Sequence, residues 1–296
     1  REIDIEQVWY SDTDNYLQLL ADEFDGACSI GIDKNFPARF LMPLMDLVDE
    51  CHFELGSECV DRVRMVKDGK EQQLMIEASK INDLVVDEVI NICAKGNLTE
   101  KEVSDQLAGI YQKHGCTGNS FEPIVAYGKN GADNHHSGDD STLKPGDSIV
   151  IDIGGLYKGY CSDMTRTVFY KEVSPKQKAV YELVLKAQKA AEAMIKPGIR
   201  LCDIDKCARD IIAEGGYTVE FNHRLGHFIG RDVHEWGDVS QNYDIEVQEG
   251  MTFSIEPGVY LQGEFGVRIE DLVLVTEDGC KVLNSYPKDL KVIGND

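Results

Sequence analysis

Four acidic residues stand inside or beside apolar segments of this 296-residue chain: Asp152, Asp163, Glu256 and Glu270. Asp152, for example, interrupts the apolar run 149–153. Burying an unpaired carboxylate costs several kcal/mol, so an acid in such a segment needs a partner. Each residue alone has a simpler explanation, because a lone acid often binds a turn or faces solvent. Together the four predict one site that compensates their charge.

Crowded carboxylates have raised pKa values unless cations lie between them. Two divalent ions would balance four negative charges and leave room for one hydroxide. One imidazole is the natural fifth ligand, and five of the seven histidines fall in two short segments: His135, His136, His223, His227 and His234. Oxygen-rich sites with a single histidine suit manganese or another hard-to-borderline metal. From the residues alone, the sequence indicates a two-metal hydrolase.

Other catalytic classes lack their motifs in this sequence. It has no G-x-x-x-x-G-K-[ST] phosphate loop, no G-x-S-x-G nucleophile elbow and no H-E-x-x-H zinc helix. His223 and His227 have the spacing of the zinc helix, but Arg224 stands where that motif needs its general-base glutamate.

The composition limits the possible binding partners and the cellular compartment. With 53 acidic and 30 basic residues the net charge is −23, which argues against nucleic acid and anionic membranes as partners. No apolar run has the length of a membrane span, and the first residues lack a secretory signal. Nine scattered cysteines without a C-x-x-C pair favour reduced thiols and a cytoplasmic protein. Because the chain begins with Arg1, we expect a fragment or a processed product.

Apolar periodicity predicts the elements that must position these residues. Four helices are expected at about 70–96, 99–115, 174–197 and 202–214. Strands are expected at 26–33, 121–127, 148–155, 164–170, 251–256, 259–262 and 267–275. Asp152 and Asp163 would then lie on two antiparallel strands joined by a turn, which could bring both carboxylates to one point.

The order of these elements repeats, with two helices followed by strands and then two helices followed by strands. An offset of 101 residues pairs Val103 with Ile204 and Gly115 with Gly216. The sequence therefore predicts two structurally related halves packed into one α+β domain from about residue 67 onward.

Several segments resemble motifs of the pita-bread metallopeptidases, the family that holds methionine aminopeptidase, aminopeptidase P and prolidase. Residues 151–167 resemble the first metal motif, 223–235 the central histidine motif, and 254–258 and 267–271 the two glutamate motifs. Residues 120–126 and the loop of His135 match too. The resemblance covers about 60–282. The segment 267–271 and the pair His234-Glu235 point to the Xaa-Pro branch, which is aminopeptidase P and prolidase.

The resemblance implies an α+β pita-bread (creatinase/aminopeptidase-like) catalytic domain with pseudo-twofold halves over residues 67–296. A partial α/β N-terminal, creatinase-like domain would precede it over residues 1–66. It also implies five metal ligands: Asp152, Asp163, His227, Glu256 and Glu270. Asp163 and Glu270 would bridge two divalent ions, Asp152 would hold one of them, and His227 and Glu256 would complete the second.

The resemblance further implies catalytic roles for His135, His223, His234 and Glu256. Glu256 would move a proton from the nucleophile to the proline nitrogen. His223 and His234 would line the proline pocket or steady the oxyanion, with His135 as a further donor. Arg268 would orient a carboxylate.

The sequence departs from the family pattern at three places. Phe228 follows His227 where glycine is usual, so its ring would either narrow the pocket or pack outward. Arg231 replaces a residue that is usually apolar. Residues 10–33 resemble only the last helix and strand of the N-terminal domain.

The sequence therefore predicts a cytoplasmic, homodimeric exopeptidase with two divalent ions, manganese first and cobalt or zinc as alternatives. Its substrates would be peptides with proline at the second position, cleaved before that proline, as by an Xaa-Pro aminopeptidase or an Xaa-Pro dipeptidase. The alternatives are a methionine-aminopeptidase-like exopeptidase and a non-catalytic peptide-binding member of the fold. A metal-free creatinase-like hydrolase ranks third.

Overall fold

The computed structural model describes residues 7–24, 26, 29–48 and 50–295. These residues divide into two compact units at the bond between Val63 and Arg64. Within the described ranges, no helix combines the length and the apolar character that a membrane span requires.

The first unit contains two parallel strands and their connecting helix. Strand β1 is Ser29–Ile32, helix α2 is Ala38–Leu47, and strand β2 is His52–Leu55. Helix α1, Tyr16–Asp22, precedes them, and α3, Ser57–Met65, contains the boundary between the units. The expectation that residues 10–33 form the last helix and strand is wrong, because α2 and β2 follow. Two parallel strands need such a crossover. Part of the predicted strand 26–33 lies outside the described residues.

The four predicted helices of the second unit are confirmed. They are α4, Gly69–Ala94; α5, Glu100–Lys113; α6, Pro175–Met194; and α7, Leu201–Glu214. Reciprocal capping boxes fix three of their starts, at Asp68, Thr99 and Ser174. In each box the side chain of the cap accepts from the backbone N–H of the third helical residue, and the side chain of that residue accepts from the backbone N–H of the cap. Two otherwise unpaired N–H groups are thus satisfied.

The strands of the second unit are mostly short and antiparallel. They are β3, Ile124–Tyr127; β4, Ser148–Ile153; β5, Leu156–Tyr157; β6, Tyr160–Cys161; β7, Met164–Tyr170; β8, Gly226–His227; β9, Asp238–Val239; β10, Thr252–Ile255; β11, Gly258–Leu261; β12, Phe265–Arg268; β13, Asp271–Val275; β14, Cys280–Val282; and β15, Val292–Ile293. One sheet has the order β15-β7-β4-β3 and another β10-β13-β14, while β5-β6, β8-β9 and β11-β12 form pairs. A short 3-10 helix, Gly128–Ala132, follows β3.

The single strand predicted over 267–275 is wrong. The chain forms β12, breaks at Ile269 and Glu270, and then forms β13. Strand β12 pairs with β11, whereas β13 pairs with β10 and β14. At the break, the Glu270 N–H donates to the carbonyl of Thr165 in β7 (3.1 Å). Glu270 therefore lies where the chain passes from one sheet to another.

The two halves of the second unit correspond closely. Helix α5 and helix α7 have the same length and are offset by the predicted 101 residues. Gly115 and Gly216, which follow them, share a φ of +89°. Val103 and Ile204 are both fully buried on the inner faces of these helices. The predicted α+β architecture with two related halves is confirmed.

A buried charge network ties the second half to the first. The Arg166 guanidinium in β7 contacts the Asp271 carboxylate at the start of β13 (2.7 Å). Asp271, fully buried, also binds the Lys288 ammonium (2.5 Å) and the Gln188 amide of α6 (3.0 Å). Arg166 donates to the backbone carbonyl of Glu270 as well (2.5 Å). The network holds the segment around Glu270 against β7.

We expect Asp271→Ala to lower the free energy of unfolding by about 3–5 kcal/mol, because it leaves the buried Arg166 guanidinium uncompensated. Urea denaturation of the metal-free protein measures this change. The matched control is Asp210→Ala, which removes the exposed pair with Lys206 (2.6 Å) and should lower the free energy of unfolding far less than Asp271→Ala does. Equal costs for the two variants would contradict the structural role of Asp271.

Candidate metal centre

All eight predicted site residues line one cleft of about 650 Å³ in the second unit. They are His135, Asp152, Asp163, His223, His227, His234, Glu256 and Glu270. The five expected metal ligands come from five separate chain segments, at or beside β4, β7, β8, β10 and β13. Apolar side chains line the cleft too: Phe121, Pro123, Ile124 and Val233.

The pairing of β4 with β7 places the two aspartates. The strands are antiparallel, as predicted, with Asp152 opposite Thr165. Asp163 precedes Thr165 by two residues and immediately precedes β7, so it lies at the same end of the strand pair as Asp152. The intervening β5-β6 hairpin turns the chain between them. A local pairing thus supplies two of the carboxylates.

Ser254 fixes both His227 and Glu256. Its Oγ accepts from the His227 N–H (2.9 Å) and donates to Glu256 Oε1 (3.1 Å). The close approach of β8 to β10 requires glycine at position 226, because a Cβ there would lie 1.9 Å from the Ser254 carbonyl oxygen. The Glu256 N–H also donates to the carbonyl of Leu225 (2.8 Å).

The histidine at the centre of the cluster has a defined tautomer. His227 Nδ1 lies 3.2 Å from the Phe228 carbonyl, which can only accept, so Nδ1 carries the proton. Nε2 is then a lone-pair donor, 3.5 Å from both Asp163 Oδ2 and Glu256 Oε1. Burial lowers the pKa of His227 and keeps it neutral. Ligand atoms of Asp163, His227 and Glu270 all lie within 4.8 Å of one another.

The clustered carboxylates repel one another in the metal-free protein. Burial, and then the Asp152 charge, raises the pKa of Asp163 well above its usual range. Burial, and then the Asp163 charge, does the same to the pKa of Glu270. Burial raises the pKa of Glu256 to about 7. These shifts show that the protein alone does not compensate the negative charge it gathers here.

Three buried carboxylate oxygens have no hydrogen-bond partner among the described residues: Asp152 Oδ1, Asp163 Oδ1 and Glu270 Oε1. Glu270 Oε2 accepts from Thr165 Oγ1 (2.6 Å), and Asp152 Oδ2 accepts from the Arg268 guanidinium (2.6 Å). One oxygen of each of these two carboxylates is therefore held by the protein and the other is left unpaired. Anionic oxygens with one neutral imidazole suit hard-to-borderline divalent cations, so the donor set fits the expected metals.

A hydrogen-bond chain that the sequence did not reveal runs from Asp152 to His223. Arg268 donates to Asp152 and also to the Tyr260 hydroxyl oxygen (2.9 Å). His223 Nδ1 donates to the Arg224 carbonyl (2.7 Å), so its Nε2 accepts from the Tyr260 hydroxyl (2.9 Å). Burial, and then the Arg268 charge, lowers the pKa of His223 to about 3. The imidazole is thus neutral, with both nitrogens engaged.

The two remaining histidines lie nearer the solvent. The His234 ring packs edge-on against His227 at 4.3 Å, and burial lowers the pKa of His234 to about 4. His135 is exposed at the mouth of the cleft, in the loop after the 3-10 helix. Its neighbour His136 instead directs Nε2 to the buried Glu100 (2.7 Å).

Phe228 packs away from the cleft. Its side chain is fully buried in the core, with its ring centroid 5.4 Å from that of Phe253. Of the two expected placements, the outward one is therefore correct, and the ring does not narrow the cleft. The side chain of Arg231 is exposed.

Four carboxylates and one imidazole, gathered from two related halves in one cleft, define the site of a pita-bread metallopeptidase. Residues 73–277 match the profile of metallopeptidase family M24, and the chain belongs to this family. The family and fold predicted from the sequence motifs are thus confirmed.

Similar proteins lie in the Xaa-Pro branch of the family. The chain is 38% identical over 273 residues to the Xaa-Pro dipeptidase of Pyrococcus horikoshii, which covers 91% of this chain and 78% of that one. It is 40% identical to the Xaa-Pro dipeptidase of Lactobacillus helveticus over 80% of this chain and 64% of that one. Several curated relatives are likewise matched over about two thirds of their length.

Solved structures with a similar fold carry names from the same branch of the family. The prolidase of Thermococcus sibiricus superposes with a TM-score of 0.92 at 34% identity, over 98% of this chain and 80% of that one. The X-Pro aminopeptidase of Thermotoga maritima superposes with a TM-score of 0.85 at 33% identity, over 96% and 81%.

The raised pKa of Glu256 predicts a pH-dependent stability in the metal-free protein. The pKa of this carboxyl is about 7 in the folded protein, compared with 4.5 ordinarily. Its contribution to the free energy of unfolding is therefore complete below pH 4.5 and is lost as the pH rises through 7. Glutamine at this position cannot ionise. We therefore expect the free energy of unfolding of Glu256→Gln to exceed that of the wild type by roughly 2 kcal/mol at pH 8, with the difference shrinking towards pH 5.

Urea denaturation at several pH values in a chelator measures this difference. The control is Glu182→Gln, which changes an exposed carboxyl on α6 and should show no such trend. A difference between Glu256→Gln and wild type that did not vary with pH would contradict the prediction.

Proposed function

We propose that this chain is a metal-dependent exopeptidase that hydrolyses the bond between an N-terminal residue and a following proline. The observation that carries the proposal is the convergence of five ligand-type side chains, with three unpaired buried oxygens, on one cleft. The relatives named Xaa-Pro dipeptidase, prolidase and X-Pro aminopeptidase support the choice of substrate class.

Two divalent ions would be held by Asp152, Asp163, His227, Glu256 and Glu270, with Asp163 and Glu270 shared between them. When bound, such ions polarise a carbonyl and make water a nucleophile at neutral pH. Manganese is the metal we propose, with cobalt or zinc as alternatives, because four carboxylates and one imidazole form a predominantly hard donor set.

Glu256 supplies the proton that this reaction requires. The proline nitrogen belongs to a tertiary amide and carries no hydrogen, so it must be protonated to leave as a secondary amine. Glu256 lines the cleft, and Ser254 Oγ holds its Oε1 in place. A carboxyl in this position takes the proton of the nucleophile and delivers it to the departing nitrogen.

The histidines shape the pocket. Because both nitrogens of His223 are engaged within the protein, this ring serves as a wall for the proline and not as an oxyanion donor. His234 lies at the edge of His227 and His135 at the cleft mouth, so these two remain the donors for the tetrahedral intermediate.

The remaining features are proposed from the family resemblance. Residues 1–66 form part of a creatinase-like N-terminal domain, and the protein is a cytoplasmic homodimer. Large exposed apolar side chains in the first unit support an interface there: Trp9, Met42, Leu55 and Val60. Sedimentation velocity measures the oligomeric state, and a monomer at micromolar concentration would contradict the dimer.

The substrate class is tested by comparing Ala-Pro, an Ala-Pro peptide and a Met-Gly peptide with manganese-loaded enzyme. We expect turnover of one or both proline substrates. Turnover of the Met-Gly peptide alone would instead favour a methionine aminopeptidase, and binding without turnover would favour a peptide-binding protein. Asp163→Asn is the negative control, because loss of a shared ligand should remove both the bound metal and the activity.

His234→Ala separates substrate handling from metal binding. Since His234 lines the cleft without belonging to the five ligands, we expect full metal content and a kcat lowered by about a hundredfold, as for the loss of one donor to an oxyanion. Metal analysis by mass spectrometry and steady-state kinetics on the preferred proline substrate measure the two quantities. Loss of metal from this variant would show that His234 is a ligand.

A further inference from the structure

Glu100 is a buried acid outside the metal cluster. It is the first residue of α5, and its side chain has no exposed surface. A buried carboxylate is retained at a cost unless its oxygens are satisfied, so its partners indicate what it does.

Four N–H donors surround the Glu100 carboxylate. Oε1 accepts from the Tyr127 N–H (2.6 Å) at the end of β3 and from the Asn130 amide (3.0 Å) in the 3-10 helix. Oε2 accepts from His136 Nε2 (2.7 Å) and from the Asp139 N–H (3.1 Å). One side chain thus joins the strand, the 3-10 helix and the following loop.

This arrangement differs from the metal cluster. Glu100, His136 and Asp139 are close enough together to hold a cation. A carboxylate, however, has about four acceptor positions, and at Glu100 four donors already occupy them. Asp163 and Glu270, in contrast, each keep an oxygen without a partner among the described residues. Glu100 is therefore a hydrogen-bond anchor and not a second metal site.

The anchored loop, residues 133–141, carries His135. Backbone contacts fasten its far end to the start of α5, from the Glu100 N–H to the Ser141 carbonyl (3.2 Å) and from the Lys101 N–H to the Asp139 carbonyl (3.1 Å). Next to the anchored His136, His135 lines the same cleft as His223 and His234.

We propose that Glu100 is a positioning residue, which holds the loop 133–141 so that His135 reaches the substrate. The inference rests on the proposed peptidase function and adds to it a residue that touches neither substrate nor metal. It acts through His136 and the Asp139 backbone within the loop, and through Tyr127 and Asn130 in the segment that precedes the loop.

A double-mutant cycle in the manganese-loaded enzyme tests the proposal. We expect His135→Ala and Glu100→Ala each to lower kcat by about tenfold, because positioning partners of site residues typically have effects of this size. If Glu100 acts through His135, the double variant should also lose about tenfold, whereas independent effects would multiply to about a hundredfold. Glu100→Gln keeps one acceptor oxygen for Tyr127 and Asn130 and should recover part of kcat.

The matched control is Glu102→Ala, on the same helix end. The Glu102 carboxylate is exposed and accepts from the Thr99 N–H (2.9 Å) as part of the capping box. Loss of the Glu102 side chain should loosen the start of the helix without changing kcat, both in the wild type and in the His135→Ala variant. Circular dichroism fixes a temperature at which every variant is folded, and if Glu100→Ala is not, Glu100→Gln takes its place in the cycle.

The outcomes separate the two proposals. Multiplying effects of Glu100 and His135, or a loss of kcat in Glu102→Ala equal to that in Glu100→Ala, would overturn the positioning role while leaving the peptidase intact. A wild-type enzyme without activity on any proline substrate would instead overturn the proposed function itself.

Discussion

Repulsion among buried carboxylates is the constraint on which the second unit depends. Asp163, Glu256 and Glu270 all have pKa values raised by burial and by their acidic neighbours. Arg268 donates to Asp152 and offsets only part of this charge. The fold therefore concentrates negative charge that it does not itself neutralise, which is favourable only when protons or metal cations compensate it. Metal binding and folding of this cleft should be coupled for that reason.

The surrounding structure holds the carboxylates in place without neutralising them. Hydroxyl groups make several of these contacts: the Thr165 hydroxyl orients Glu270, and the Ser254 hydroxyl orients Glu256 and the backbone of His227. A neutral hydroxyl fixes one oxygen and leaves the charge available to a cation. Apart from Arg268, which contacts Asp152, the cationic side chains of this region lie further out, where Arg166 and Lys288 compensate Asp271.

Sequence reasoning succeeded where local periodicity or a motif carries the information. The four long helices, strand β7 and the list of residues around the cleft could all be expected in advance. The break at Glu270 could not, because it results from pairing with two different sheets and not from the composition of residues 267–275. Tyr260 and Glu100 were missed for a similar reason. A buried tyrosine or glutamate needs a partner, but the sequence does not say which distant residue supplies it.

Phe228 shows how such a site tolerates a change beside a ligand. Successive residues of an extended segment point to opposite sides, so when His227 faces the cleft its neighbour faces the core. A ring at position 228 therefore alters core packing and not the pocket, and it lies against Phe253. The space comes partly from Gly237, where a Cβ would lie 2.5 Å from the Phe228 ring. The departure from the usual motif is thus compensated inside the core, so position 228 by itself gives no reason to expect an altered substrate range.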